Sequence, residues 1–561
     1  MKFDYVIVGG GTCGLLVANR LSEDPSTTVA VIEPGQDVRN NPNVTDPANF
    51  LVPFNTPIDW AYPTIAQPGA SNRTLTFHSG KAIGGTSTIN GMTYIRADAA
   101  EIDAWEALGD EGWNWDTLFP YYKKVEKFTL PTTAQVAAGA HFEPQYHGED
   151  GDLHVGYRYA LANGSFHGVV QDTWGNMGYP ENSDVNSGVT RGFDVWPQTI
   201  DRDLDLRWDA ARAYFYPVED RANLRILRGT AIKLVWNTED DGRRKRASGV
   251  EYKNANNETT VVGIGKEAIL SGGSLRTPLV LELSGIGNRQ LLDSLGIRTV
   301  IDLVGVGENL QEQPNSVSLL GLSNTLNVTG ATTYSTFGTA EDIFGSNKSV
   351  IAASTNASLG RYAQLVASAS HDGVNATALE QIFRVQHDLL FSKNVTISET
   401  ITDYHSGNLL SVWWCLIPFS RGSVHLGSTQ LIDEPVIDPR YFLADIDMTS
   451  QIAIGKQAQK FWKTNPMEAH VVANLTADPT SDEEWAEYIS DTFEPNYHPI
   501  GTASMMAREL GGVVDPELKV HGTSNVRVVD ASVLPLQLSG HLTATLYALA
   551  DRASEIIRAC S

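Results

Sequence analysis

Cysteine is nearly missing from this chain: Cys13, Cys415 and Cys560 are the only three in 561 residues. They are too few and too scattered for a disulfide framework, and no pair has the spacing of metal ligands, so no structural metal is expected. Cations are scarce as well, 41 Lys and Arg against 66 Asp and Glu, for a formal charge of −25. A phosphate backbone repels such a surface, and the one basic cluster is the short Arg243, Arg244, Lys245, Arg246, which argues against nucleic acid and anionic membrane as partners. Long hydrophobic runs are absent too, with nowhere eighteen consecutive apolar residues to span a bilayer. There is no internal repeat and no low-complexity tract. A composition 42% apolar and 19% charged is that of a globular protein, long enough for at least two domains.

Acceptor triplets for N-glycosylation are plentiful. Asn-x-Ser/Thr occurs at Asn43, Asn72, Asn163, Asn257, Asn327, Asn347, Asn356, Asn375, Asn394 and Asn474, which points to the secretory pathway. Phe3 to Val8 already reads as core, so no signal peptide is expected before it, and on the secretory reading Met1 replaces a removed leader.

The first thirty-five residues carry the clearest local signal. Asp4 to Val8 is a short apolar run, followed at once by Gly9-Gly10-Gly11-Thr12-Cys13-Gly14 and then by Leu15, Leu16, Ala18 and Leu21 at helical spacing. Thr28 to Ile32 gives a second buried strand ending at Glu33, so the pattern is a βαβ unit that binds a dinucleotide. Gly9 permits the sharp turn, Gly11 lets a pyrophosphate approach the positive helix N-terminus beside Thr12 and Cys13, and Gly14 allows close packing. Glu33 is placed to accept from ribose hydroxyls, which argues against a 2′-phosphate but does not separate NAD from FAD. Glu267 to Gly273 reads as another buried strand entering a glycine turn, so the nucleotide domain is discontinuous.

Four further segments resemble the glucose-methanol-choline (GMC) oxidoreductases. Gly80 to Asn90, continuing to Asp103, is similar to one family pattern without a gap, and Gly273-Ser274-Leu275-Arg276-Thr277-Pro278, continuing to Gly287, is similar to a second. Val306 to Gln311 and the tail from Asn496 to Leu549 extend the resemblance along the whole chain. It implies an α/β (α+β overall) molecule with a Rossmann-like FAD-binding domain in pieces, 1–155, 195–310 and 508–561. An antiparallel-sheet-and-helix substrate domain, 156–194 and 311–507, completes the expected organisation. It also implies FAD, held covalently or not, and oxidation of an alcohol to a carbonyl. Gly85 and Thr86 sit in a nest-prone turn whose amides suit phosphate, and Asn90, Gly91, Met92 and Thr93 offer groups for a flavin edge. The resemblance further places Ile232 near the adenine, Asp530 and Ala531 near the pyrophosphate, and His541, Leu542 and Thr543 at the flavin.

Two of thirteen histidines stand apart. His498, in Asn496-Tyr497-His498-Pro499, and His541, in Ser539-Gly540-His541-Leu542, match the family's catalytic pair residue by residue. Histidine titrates where proton transfer near neutrality needs it. His498 is therefore expected to take the hydroxyl proton while the carbinol hydrogen leaves as hydride, with His541 hydrogen-bonding the same oxygen. His541 in place of Asn resembles the family branch that holds glucose oxidase, FAD glucose dehydrogenase and patulin synthase. Two sugar contacts of that branch are replaced: an Arg by Glu494 and an acid by Val412. Ionised Glu donates no hydrogen bond where Arg donates up to five, so a polyhydroxyl ring loses orientation. With Trp414, Asn496 and Tyr497 as further substrate contacts, the expected substrate is a small primary alcohol, with a sugar as the alternative. A hydroxynitrile lyase that keeps FAD without redox turnover is the alternative of another class, and an NAD-dependent dehydrogenase a further one. Oxygen or another electron acceptor, a monomer or homodimer, and no metal complete the expectations.

Overall fold

The computed structural model describes residues 1–237, 244–326, 328–370, 374–429 and 435–560, so Arg243 of the basic cluster and the acceptor at Asn327 lie outside the described residues. In chain order, the strands that build the site are β1 (Lys2–Val8), β2 (Val29–Glu33), β3 (Gly192–Val195), β4 (Leu224–Trp236), β5 (Ala247–Asn254) and β6 (Thr259–Leu270). They continue with β7 (Pro314–Leu322), β8 (Tyr334–Thr339), β9 (Thr396–His405), β10 (Asn408–Cys415), β11 (Val471–Asn474), β12 (Glu494–Pro495) and β13 (Val526–Val528). The helices that matter here are α1 (Thr12–Leu21), α2 (Thr277–Leu283), α3 (Asp445–Trp462) and α4 (Leu542–Ala559).

Six strands form the first sheet, in which β1 runs parallel between β2 and β6, with β4 and β13 parallel outside them. The far halves of the long β4 and β6 clasp β5 antiparallel. Parallel strands are covered on both faces and so read as continuous apolar runs rather than alternating ones. Val6, Ile7, Val29 and Val31 are wholly buried for this reason; each such side chain contributes about 1.5–3 kcal/mol of burial. Helix α1 packs against α4, so the first and last helices of the chain close over one core.

The second sheet is antiparallel, in the order β11-β7-β10-β9-β8-β3, with β12 added to the start of β7. Its register decides which side chains face inward. Val317 pairs with Val412, Val412 with Ile401 and Ile401 with Ser335, so these four share one face, and Asn315, Trp414, Glu399 and Asp403 two residues away share it too. The opposite face carries Trp413, which meets α3 where Gly455 leaves no room for a Cβ: the nearest Trp413 atom would lie 2.8 Å away. The two adjacent tryptophans therefore have opposite roles, one in the core and one on the inner face. Among the described residues no helix is long and apolar enough to cross a membrane.

Candidate active site

A single cavity of about 960 Å³ runs from the C-terminal ends of β1 and β2 to the inner face of the second sheet. At its first end Gly9 turns with φ +103°, and a Cβ there would lie 2.3 Å from the Ser271 carbonyl oxygen. Gly11 and Gly85 face one another: a Cβ on Gly85 would come within 2.6 Å of the Gly11 Cα. Both oxygens of Glu33 accept backbone hydrogens, from Gly10 at 2.8 Å and Gly35 at 2.6 Å, while burial pushes its pKa up to about 6. Each carboxylate oxygen keeps a lone pair for a ligand hydroxyl. Asp530 is buried beside them and accepts from Gly273 N (2.8 Å), Thr277 Oγ1 (2.6 Å) and Ser532 N (2.8 Å).

The middle of the cavity is held by Asn90. Its Oδ1 accepts from Met92 N at 3.1 Å and from Arg207 at 2.7 Å, and its Nδ2 donates to Thr543 Oγ1 at 3.3 Å. Arg207 is fully buried and also donates to the carbonyls of Val44 and Ser87, which locks the loop over 87–92. Sequence reasoning missed Arg207, because nothing around it marks it. Helix α4 begins here with His541 as its N-cap, so the unpaired amides of its first turn, at Leu542 and Thr543, border the cavity.

At the far end the imidazoles of His498 and His541 lie 5.1 Å apart between centroids and 88° to one another. His541 Nε2 is 3.2 Å from Glu399 Oε1, an oxygen that also accepts from Ser335 Oγ at 2.7 Å. His498 Nδ1 is 2.9 Å from Gln313 Oε1 and 3.1 Å from Asn496 Nδ2, and its backbone N donates to Glu312 at 3.1 Å. Burial first, and then the nearby His541, push the His498 pKa well below its ordinary value, so the ring is neutral. Tyr497 has φ 61°, a strained conformation for a side chain of its size, held by edge-on packing against His78 (5.0 Å) and Phe54 (5.6 Å). Val317, Ile401, Leu410 and Val412 form an aliphatic wall at this end, with Asn315, Thr332, Thr333 and Asp403 also on the lining, and the buried Trp414 has an indole Nε1 with no partner among the described residues.

Of the residues expected from sequence, Gly9, Gly11, Thr12, Cys13, Glu33, Gly85, Thr86, Asn90, Gly91, Met92, Thr93, Asp530, Ala531, His541, Leu542 and Thr543 all line this cavity, as do Val412, Trp414, Asn496, Tyr497 and His498. Three do not. Gly14 lies behind the wall, where a Cβ would strike the Gly9 carbonyl oxygen at 2.0 Å, so it packs α1 onto the turn rather than touching a ligand. Ile232 alternates away from the cavity on β4, leaving Thr230 and Ala231 as the lining there. Glu494 is the larger correction: on β12 its side chain points outward, 54% exposed, and pairs with Arg73 at 3.0 Å. Gln313, Glu312 and Glu399, which hold the two histidines, were not anticipated. Glu399 did leave a trace, as a carboxylate on the apolar phase of Val395, Ile397 and Ile401.

Facing glycines and backbone amides at one end, a buried carboxylate for ribose and the free amides of α4 suit a long, anionic, ring-bearing dinucleotide, and the buried Ser274 Oγ on the same wall has no partner among the described residues. The family models for GMC oxidoreductases match residues 3–315 and 418–550. The chain is 54% identical to a glucose oxidase-like protein, fsoC, of Humicola fuscoatra, covering 99% of this chain and 95% of that one. It is 36% identical to the glucose oxidase of Aspergillus carbonarius, covering 99% and 92%. Among solved structures, an FAD-dependent oxidoreductase from Chaetomium thermophilum superposes with a TM-score of 0.89 at 29% identity, covering 100% of this chain and 99% of that one. A fungal aryl-alcohol oxidase also reaches 0.89, at 28% identity, covering 99% and 98%. The chain belongs to the GMC oxidoreductase family and is an FAD-dependent enzyme that acts on CH–OH groups.

Proposed function

We propose that the enzyme oxidises a small, uncharged primary alcohol to its aldehyde, with His498 as the base. The observation that carries this is the perpendicular histidine pair, 5.1 Å apart in a cavity that also has the aliphatic wall of Val317, Ile401, Leu410 and Val412. FAD, held by the glycine turns, Glu33, Asn90, Asp530 and the start of α4, supplies the acceptor for the hydride of the carbinol carbon. The alcohol oxygen sits between the two rings. His498 Nε2 removes its proton, and His541 hydrogen-bonds the same oxygen while Glu399 fixes the direction of that ring. The aliphatic wall excludes water and holds the carbon in place. Residues 1–155, 195–310 and 508–561 are proposed as the cofactor domain, with 156–194 and 311–507 covering it.

Glucose fits this pocket poorly, because Val412 offers no acceptor and Glu494 points to solvent. It stays as the second reading because of the likeness to glucose oxidases. Bleaching of the flavin absorbance under argon by furan-type and aryl alcohols, and little bleaching by millimolar glucose, is expected; the reverse order overturns the substrate class. Turnover without bleaching would instead mark a lyase. His498→Ala is expected to lose at least about 1,000-fold in bleaching rate with FAD retained, and near-normal bleaching would remove His498 from its role. Oxygen is the proposed acceptor, in line with the oxidases among the relatives, and anaerobic against aerobic turnover checks it. Secretion and N-glycosylation are proposed as well: of the nine described acceptors, eight are exposed and Asn43 is half-buried. Deglycosylation followed by mass measurement tests it.

A further inference from the structure

We propose that Gln313 is the positioning residue that sets the tautomer of His498, keeping the proton on Nδ1 so that Nε2 is left as the base. This deepens the reading of His498 given above and rests on it. Gln313 lies just before β7 and is 1% exposed. Its Nε2 donates to two backbone carbonyls, Leu416 at 2.9 Å and Leu538 at 3.3 Å, so its orientation is decided: the amide nitrogen faces them and Oε1 faces the histidine. An oxygen that only accepts, 2.9 Å from His498 Nδ1, requires a hydrogen on that nitrogen, since two facing lone pairs at that distance repel.

Asn496 could have undone this by donating to the same Nδ1. Its own amide is fixed in turn, because Asn315 Nδ2 donates to Asn496 Oδ1 at 2.9 Å, and Asn496 Nδ2 then donates to Gln313 Oε1, also at 2.9 Å. Gln313 Oε1 thus receives two hydrogens, one from Asn496 and one from His498. The partner is neutral. A carboxylate in its place would hold the imidazolium and blunt the base, whereas an amide orients the ring without charging it. The other ionisable groups around the ring are consistent with this. Glu312 receives the His498 backbone N, Tyr497 turns its ring to His78, and Glu399 is engaged by His541 and Ser335.

The test uses the FAD-loaded enzyme with histidines labelled with nitrogen-15, the His498 signals being assigned by their loss in His498→Ala. In the parent protein, neutral His498 should show a protonated Nδ1 and an unprotonated Nε2. In Gln313→Leu this preference should be lost, with bleaching by a primary alcohol slowed at least tenfold and the flavin spectrum unchanged. Gln313→Glu should bind FAD and turn over, with the acidic limb of its pH–rate profile moved at least one pH unit upward. A protonated Nε2 in the parent, an unchanged tautomer in Gln313→Leu, or a profile of Gln313→Glu that superposes on the parent would each overturn the proposal. Should Gln313→Leu not fold, the parent tautomer and the Gln313→Glu profile still decide. If His498 is not the base at all, His498→Ala bleaches normally, which separates failure of that reading from failure of this one.

Discussion

His498 and His541 are the same side chain given different neighbours, an amide on one and a carboxyl group on the other. Glu399→Gln keeps the shape and replaces the carboxyl group by an amide, and is expected to slow alcohol-dependent bleaching about 100-fold with FAD still bound, as stopped-flow absorbance would record. Because burial holds the His498 pKa well below its ordinary 6.5, the bleaching rate should stay level as pH falls to that value and drop only below it. A different residue carries a cost without a catalytic use. Asp110 is buried with neither carboxyl oxygen partnered among the described residues, and burial pushes its pKa up to about 8. The folded state therefore holds its proton more tightly than the unfolded state, and this group's contribution is full below about 3.8 and lost as pH rises towards 8. Asp110→Asn should stabilise the enzyme by on the order of 1–3 kcal/mol at pH 8 and have little effect at pH 4, measured by thermal denaturation at the two pH values.

At the scale of elements, the glycine turns, strand β1 and the histidine segments are legible in sequence because their constraints are local: a positive φ, an apolar run, a residue beside its neighbours. Direction is less legible. Glu494 occupies a motif position, yet β12 pairs antiparallel with β7 and turns the side chain to Arg73, which no local pattern announces. Gln313 and Arg207 are polar residues whose partners lie 103 and 117 or more positions away in the chain, so only the packed molecule reveals them. The inner face of the second sheet could be anticipated in part, since Glu399 breaks an alternating apolar phase. Where backbone meets backbone the prediction is firm: Gly85→Ala places a methyl 2.6 Å from Gly11 Cα in a left-handed turn, and at least tenfold weaker FAD retention is expected, about 1.4 kcal/mol. The ratio of flavin to protein absorbance after gel filtration measures it.

On the scale of the whole molecule, distant segments are joined by a few buried polar contacts. His425 lies between Glu282 of α2 at 2.7 Å and Glu308 at 3.2 Å, and these carboxylates outweigh burial to push its pKa up to about 10. Its stabilisation is complete below the ordinary 6.5 and lost as pH rises through 10, so His425→Gln should flatten the alkaline fall in melting temperature between those values. The Gln313 amide has a wider reach. One of its two carbonyl partners, Leu416, follows β10 in the second sheet, and the other, Leu538, precedes α4 over the first. The amide proposed to orient His498 is thus also a clasp between the two halves. Moving one half away from the other would break one of these two bonds and free the Gln313 amide to turn. The orientation proposed for His498 thus depends on how the two halves pack together, and not only on the short segment that carries the ring.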